Sequence, residues 1–191
     1  MHARILGFAA FAACLAVPAT AAVALSDAAG SYTISPARSS IRFTIGKAGG
    51  GGFDGAFARF KGTIRIDNGD VGRSKVDLTI YPESVGTGQG RIDAFLRSDA
   101  VFDAANSPEI QFHSTSVIRT GDTSALVTGR LTARGKTFPE KFTAELDGLK
   151  AGTIKFHVTG KVLRSRYGMD VGTPLYSNVV DFNMTLTGKR G

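Results

Sequence analysis

Cysteine, proline and tryptophan are scarce in this sequence. Its 191 residues include one Cys, six Pro and no Trp. A single thiol cannot form an intramolecular disulfide, and it excludes the multi-cysteine sets that bind structural zinc. With 24 Gly against six Pro, the chain is suited to turns and β-bulges rather than to a proline-rich disordered linker. Since 42% of the residues are hydrophobic and 20% are charged, we expect one globular domain with its own core.

Long apolar runs are also scarce, and the one that exists lies at the N-terminus. A basic start at Met1–Arg4 precedes the apolar run Ile5–Val17, which is shorter than the ~20 residues of a bilayer-spanning helix. Ala19-Thr20-Ala21 then fits the small-x-small pattern of a signal peptidase site. We therefore predict a cleaved signal peptide over residues 1–21, a short N-terminal extension over 22–31, and a periplasmic mature protein.

Two alternatives for this segment stay open. Ala22-Val23-Ala24 also fits the cleavage pattern, a few residues later. A lipoprotein acylated at Cys14 is the other, but it requires an unusually short signal and lacks the Leu that usually stands three residues before such a cysteine. With Cys14 inside the signal, the mature chain has no thiol for a disulfide, a metal site or thiol catalysis.

Acidic residues are fewer than basic ones, but the basic residues are not clustered. Of the 23 Lys and Arg only Arg4 precedes the predicted cleavage site, and with 16 acidic residues the mature chain has a net charge of +6. Its Lys and Arg stand singly between apolar residues, as on the solvated face of a sheet. This arrangement argues against nucleic acid as a partner, whereas a transient contact with a membrane surface or a membrane protein stays open.

Apolar residues alternate with polar ones from Tyr32 onward, which predicts half-buried β-strands. The alternation recurs at residues 41–45, 64–66, 76–80, 110–112, 142–146, 154–158 and 180–186. Turn signals separate these strands at residues 67–70, 120–122, 134–136 and 147–152. One short helix is predicted near residues 91–98, where Ile92, Phe95 and Leu96 fall on one face.

A chain of seven or eight such strands can satisfy its sheet edges as a sandwich or as a closed barrel. The alternation alone leaves both folds open. Long strands favour closure, and a small barrel with an apolar lining can hold one ligand. The four-glycine run Gly49–Gly52 lacks the Lys-Ser/Thr of a phosphate-binding loop, so we expect it at a barrel mouth or in a flexible lid.

Several segments, taken in order, resemble the YceI family. Tyr32–Phe43 resembles the family's opening Tyr-x-Ile-Asp-x-x-His-Ser-x-(apolar)-x-Phe, and Phe57–Ile64 resembles its Phe-x-x-Phe-x-Gly-x-Ile segment. The fullest match is Arg91–Ser98, continued by Phe102-Asp103 and Pro108–Ser114. Val127–Gly135 then resembles the Val-x-Gly-x-Leu-x-x-x-Gly hairpin. Together these segments cover nearly all of the mature chain.

The resemblance implies an all-β fold, an extended eight-stranded antiparallel up-and-down β-barrel similar to lipocalins, over residues 32–191. It also implies a carrier that holds a long-chain apolar lipid, a polyprenyl or quinone type of isoprenoid, in its cavity without a cofactor. Pairing into a homodimer stays open. The chain departs from the family at Arg38 and Phe95, where His is frequent, and in Leu163–Gly168, where an Asn-Arg-x-Asp-Phe-Gly pattern is degraded.

Apolar residues of the predicted strands, the helix and the segments beside them are the candidate lining of the cavity, although in a sandwich they would be core. They are Phe43, Ile45, Phe57, Phe60, Leu78, Ile80, Phe95, Leu96, Phe102, Phe112, Phe142, Phe156, Phe182 and Met184. Three charged residues of the predicted helix, Arg91, Asp93 and Arg97, are candidates for contact with a lipid head group. An ordinary surface pair of Asp93 with Arg97, four residues apart, is the alternative.

No catalytic constellation is visible in the sequence. His113 and His157 lie on the polar faces of predicted strands, Ser114 points away from His113, and no Gly-x-Ser-x-Gly or metal-ligand cluster is present. We therefore expect a binding protein rather than an enzyme. Two other classes stay open: an isomerase or hydrolase that uses His113 and Arg97 inside the barrel, and a ligand-free interaction module at the membrane surface.

Overall fold

The chain folds mainly into β-strands, with one α-helix among the described residues. The computed structural model describes residues 23–191, so the predicted signal peptide lies outside the described residues. The helix α1 spans Gly90–Arg97. The strands are β1 Gly30–Ile34, β2 Ser40–Gly46, β3 Gly52–Phe57, β4 Phe60–Ile66, β5 Lys75–Ile80, β6 Val85–Gly86, β7 Ile110–Arg119, β8 Ser124–Ala133, β9 Lys136–Lys150, β10 Thr153–Leu163 and β11 Val179–Arg190.

Eight of these strands form a closed antiparallel barrel in the order β1–β4–β5–β7–β8–β9–β10–β11, and β11 closes the ring by pairing with β1. The three remaining strands extend the wall at one end. β2 continues β1 after a bend at Pro36–Arg38, and β6 continues β5 after a bend at Pro82–Ser84. Proline has no N–H to donate to a neighbouring strand, so the ladder is interrupted at both bends. The closed ring confirms the predicted eight-stranded barrel and excludes the sandwich.

The two ends of the barrel differ, and we name them by what lies there. The turn end carries the connections between β4 and β5, between β7 and β8, and between β9 and β10. It also holds a short 3₁₀ turn at Leu25–Ala28, whose two end residues are buried and whose Leu25 N–H donates to the carbonyl of Asp122 at 2.8 Å. Part of the predicted N-terminal extension therefore packs against the barrel. The helix end carries α1, the glycine run between β2 and β3, and the long connection between β10 and β11.

At the helix end the wall has two intervals without strand pairing, judged over residues 23–191. β5 pairs with β7 only as far as Ile80 and Ile110, after which β6 pairs with β3 alone. The helix α1 contacts β6, and the segment that follows it leads to β7, so both cover this first interval. The second interval opens because β9 pairs with β10 only as far as Phe142 and Gly160. Tyr167 covers it, since this side chain contacts both Phe138 and Glu140 of β9.

Most of the predicted elements are found, and one turn is placed differently. The predicted helix at 91–98 corresponds to α1, and every predicted strand overlaps an observed one. The turn predicted over residues 147–152 is wrong in its first half, because β9 runs on to Lys150. Lys155 pairs with Gly148 while Phe156 pairs with Leu146, so Asp147 is the extra residue of a β-bulge. The glycine run lies at the helix end, and Gly49 to Gly52 all have positive φ angles that only glycine adopts readily.

Three inward-facing glycines explain why large aromatic rings leave space inside the barrel. Phe43 faces Gly55 across the ladder, Phe142 faces Gly160, and Phe112 lies diagonally to Gly129. Each ring occupies the place that a Cβ on the neighbouring glycine would fill. A ring that lies flat on the wall over a glycine does not extend to the barrel axis. These three pairs therefore keep the interior open.

Gly129→Ala tests this arrangement. The added Cβ would lie 2.6 Å from the carbonyl oxygen of His113 and still closer to the Phe112 ring. The ring must then swing toward the axis, so we expect the free energy of unfolding to fall by about 1–3 kcal/mol. Gly148→Ala is the matched control, because no atom lies within 4 Å of its Cβ position. Urea unfolding followed by circular dichroism measures both variants, and equal small effects would contradict the proposed role of Gly129.

Candidate functional site

The barrel interior holds an elongated apolar cavity of about 160 Å³. Its wall runs from Leu25 and Val71 at the turn end to Val101 and Met169 at the helix end. Along β8 the lining extends from Ala125 to Ala133, which is about 26 Å of strand at ~3.3 Å per residue. The volume is small for this length and lies below the ~300–1,000 Å³ of pockets for compact drug-sized ligands. The cavity is therefore a narrow passage suited to a flexible chain.

Phenylalanine rings form a continuous series along this wall. Phe112 contacts Phe142 with ring centroids 5.3 Å apart, and Phe142 contacts Phe182 at 6.3 Å. The series continues from Phe182 to Phe43 at 6.3 Å and from Phe43 to Phe57 at 5.4 Å. Tilted and edge-on contacts of this kind stabilise the rings against one another as well as against a ligand. The wall thus presents a preformed apolar surface.

A buried arginine holds the connection between β10 and β11 at the helix end. The Arg164 guanidinium donates to the carbonyl oxygens of Ser177 at 2.8 Å, Val171 at 2.9 Å and Tyr176 at 3.2 Å, and also to that of Met169. Burial lowers the pKa of Arg164, but a guanidinium stays charged at any ordinary pH. Its aliphatic stem forms part of the cavity wall while its polar head is occupied by backbone. Arg164 therefore shapes the site without offering a charge to a ligand.

A second buried polar contact joins Tyr167 to Glu140. The Tyr167 hydroxyl donates to Glu140 Oε1 at 3.0 Å, and Arg166 Nη1 lies 3.8 Å from the same oxygen. Burial and the neighbouring Glu140 carboxylate raise the pKa of Tyr167 well above its usual value. The neutral phenol is therefore the form that donates this hydrogen bond. Together with the edge-on contact to Phe138, the bond closes the interval between β9 and β10.

The fold and the cavity agree with a match to a known family. Residues 32–188 match the model of the YceI-like domain. The chain belongs to the YceI-like family. Two curated YceI proteins, from Salmonella arizonae and Salmonella enteritidis, are 36% identical to it over 108 residues, which is 56% of this chain and 56% of each relative. The matched region thus spans little more than half the length of these relatives.

Solved structures support the same YceI-like barrel at the level of the fold. BcnA of Burkholderia cenocepacia superposes with a TM-score of 0.75 at 21% identity, covering 81% of this chain and 98% of the other. A polyisoprenoid binding domain from Saccharophagus degradans superposes with a TM-score of 0.67 at 17% identity, covering 84% and 98%. The YceI protein of Campylobacter jejuni gives 0.65 at 22% identity, covering 74% and 86%.

Twelve of the fourteen predicted lining residues lie in the cavity wall of this YceI-like barrel. They are Phe43, Ile45, Phe57, Leu78, Ile80, Leu96, Phe102, Phe112, Phe142, Phe156, Phe182 and Met184. Phe60 is buried but stands outside the wall, at the bend where β3 passes into β4. The placement of Phe95 was wrong, because 48% of this residue is exposed. Only Ile92 and Leu96, one turn apart, face inward from so short a helix.

The three head-group candidates of the YceI-like chain do not reach the cavity. Arg91 is exposed on α1. The Asp93 carboxylate accepts hydrogen bonds from the backbone N–H and the hydroxyl of Thr87, both at 2.7 Å, which lower the pKa of Asp93. Arg97 donates to the Val85 carbonyl at 3.4 Å. Asp93 and Arg97 therefore fasten α1 to the segment around β6. Contact of the three residues with a lipid head group beside the cavity stays a prediction.

The polar groups considered for catalysis lie outside the cavity of the YceI-like barrel. His113 is exposed on the outer face, where its Nδ1 lies 2.7 Å from Asp77 Oδ1. His113 therefore cannot reach a chain held in the interior. Arg97 lies on α1 against the Val85 carbonyl and is not part of the cavity wall. Over residues 23–191, no group of three or more His, Cys, Asp or Glu side chains could hold a metal ion. No helix in the same range is long and apolar enough to cross a membrane.

Proposed function

We propose that this protein binds the hydrocarbon portion of a long-chain apolar lipid, an isoprenoid of the polyprenyl or quinone type, inside the barrel and carries it through the periplasm without covalent chemistry. The observation that carries the proposal is the narrow, wholly apolar passage of about 160 Å³ along the barrel. Family membership over residues 32–188 and the likeness to a polyisoprenoid binding domain support it. The predicted signal peptide supports the periplasmic location.

The cavity favours flexible chains over broad rigid ones. Apolar surface removed from water contributes about 25 cal/mol per Å², so each methylene group that enters adds about 0.8 kcal/mol. A linear chain can extend along the passage, whereas a fused ring system would have to push opposite walls apart in a close-packed interior. The head group of the lipid is then expected at an end of the barrel or in solvent, since no polar side-chain head of residues 23–191 faces the passage.

Native mass spectrometry of the protein purified from its own host, followed by solvent extraction, tests the proposal. We expect a co-purifying apolar lipid. If the signal is cleaved, the intact protein mass should correspond to a chain whose first residue is near Ala22. After delipidation, geranylgeraniol and squalene should bind and cholesterol should not. Because the chain lacks Trp, displacement of a fluorescent apolar dye is a suitable readout. A protein that contains no lipid and binds none of these chains would overturn the proposed function.

A further inference from the structure

Exposed apolar side chains are concentrated at the helix end. Four large apolar residues are exposed among residues 23–191: Phe95 at 48%, Ile118 at 56%, Val171 at 42% and Leu175 at 51%. Phe95 belongs to α1, and Val171 and Leu175 belong to the connection between β10 and β11, so these three lie at the helix end. We call them the helix-end patch. Ile118 lies near the end of β7, at the opposite end of the barrel.

The backbone that carries the patch is held in place by hydrogen bonds. The Leu175 carbonyl accepts from the Ala48 N–H at 2.8 Å, which joins it to the glycine run. The Val171 carbonyl accepts from Arg164 at 2.9 Å. Phe95 lies on a helix that Asp93 and Arg97 fasten to the barrel. The three side chains are therefore presented outward by an ordered surface, which an apolar partner can cover at little cost in conformational entropy.

The charges around the patch fit an anionic partner. Arg91 precedes Phe95 by one helical turn and is likewise exposed, so the two share the outer face of α1. Lys47 forms a β-bridge with Tyr176, next to Leu175. Asp170, beside Val171, and Asp99, two residues after α1, are exposed acidic groups that oppose this positive charge. The described residues as a whole carry a net charge of +6. Apolar side chains flanked by Arg and Lys are the combination that binds the interface of an anionic bilayer.

The patch also adjoins the interval of the wall that has no strand pairing. Leu96 lines the cavity while its neighbour Phe95 faces solvent, so one short helix separates the two. Val101 and Phe102, which follow α1, line the cavity as well. Displacing α1 and this segment would open the passage sideways without breaking a strand ladder. A chain leaving a bilayer beneath α1 could then enter the barrel without crossing water.

We propose that the helix end docks on an anionic phospholipid bilayer, with Phe95, Val171 and Leu175 entering its interface, and that the apolar chain passes between bilayer and cavity beside α1. This inference rests on the proposed function, since it assigns the surface through which the same cavity is loaded.

Co-sedimentation with vesicles tests the docking surface. The full mature chain is mixed with phosphatidylethanolamine vesicles that contain or lack phosphatidylglycerol. We expect binding to the phosphatidylglycerol vesicles, weakened about tenfold by Phe95→Ser combined with Leu175→Ser, because most of the inserted apolar area is lost. Ile118→Ser is the matched control, since it removes a similarly exposed side chain from the turn end and should leave binding unchanged. Transfer of squalene from the same vesicles should slow in parallel.

Measuring lipid binding in solution and vesicle binding separately distinguishes failure of the docking surface from failure of the proposed function. Equilibrium binding of geranylgeraniol in solution should be unchanged in the double variant, because neither substituted residue lines the cavity. If the wild-type protein binds geranylgeraniol but no vesicles, the docking surface is refuted and the lipid-binding function stands. Equal losses in the double variant and in Ile118→Ser, or equal binding to vesicles without phosphatidylglycerol, would also refute it. So would a change of oligomeric state in the double variant with vesicle binding intact, since the patch would then join two copies of the chain.

Discussion

Ala144→Phe is expected to weaken binding of a long apolar chain strongly while the barrel remains folded. Ala144 lies in the cavity wall toward the turn end of the passage, paired with Ala125 on β8 and Val158 on β10. Ala144 and Ala125 both have small side chains, so a phenyl ring at position 144 would fill space that a chain needs in order to reach the turn end. Excluding only three methylene groups costs about 2.4 kcal/mol at ~0.8 kcal/mol each, or roughly a 50-fold loss of affinity. Dye displacement by geranylgeraniol measures the loss.

The control for this substitution lies next to it on the same strand. Thr143 faces outward and is exposed, so Thr143→Phe adds the same ring to β9 without entering the cavity. We expect its affinity for geranylgeraniol to match that of the wild type. Ala144→Leu should give an intermediate loss, which distinguishes blockage from misfolding, and the far-ultraviolet circular dichroism of all three variants should coincide. Undiminished binding by a folded Ala144→Phe protein would mean that the chain does not occupy the passage.

The barrel could be predicted from the sequence because alternation reports which side of a strand is apolar. It did so for the faces of β2, β4, β5, β7 and β9 to β11, while β8 and the choice between barrel and sandwich depended on the family resemblance. Alternation carries no information on strand bends, so the continuation of β1 into β2 and of β5 into β6 emerged from the structure alone. The turn predicted to begin at Asp147-Gly148 was wrong for a similar reason, since a β-bulge and a turn favour the same residues.

The lining residues of the candidate site could be predicted because every second residue of a strand faces the same side of the sheet. Arg164 and Glu140 could have been found by the same rule, because each is an even number of residues from an inward-facing neighbour, Val162 and Phe142. Their partners could not be predicted, since backbone carbonyls of an irregular connection have no sequence signature. The prediction that Phe95 lines the cavity was wrong because helical spacing defines a broad apolar face, whereas a helix of eight residues lying on β6 buries only a narrow stripe.

Arg164→Met should be the most destabilising of the substitutions considered. Methionine approximates the length and apolar volume of the arginine stem, so the cavity wall keeps its shape while four carbonyl oxygens of residues 169–177 lose their donor. At about 1 kcal/mol for each lost hydrogen bond, the free energy of unfolding should fall by about 4 kcal/mol. For a domain of this size, that corresponds to a melting temperature lower by roughly 8–16 °C. Thermal and urea unfolding measure the change.

Arg166→Met is the matched control for Arg164, because it removes a guanidinium two residues away whose side chain is 44% exposed and whose acidic neighbour lies 3.8 Å distant. Glu140 is buried, but it keeps the Tyr167 hydroxyl as its hydrogen-bond donor, and the half-exposed Arg166 guanidinium lies beyond hydrogen-bond distance, so this variant should lose far less stability than Arg164→Met. If both variants lost less than about 1 kcal/mol, water would have to satisfy the freed carbonyls of the β10–β11 connection. If Arg164→Met alone is destabilised, its helix-end patch should also lose order, because Val171 and Leu175 belong to the connection that this guanidinium holds. Vesicle binding by Arg164→Met should then weaken even though no exposed apolar side chain has been removed.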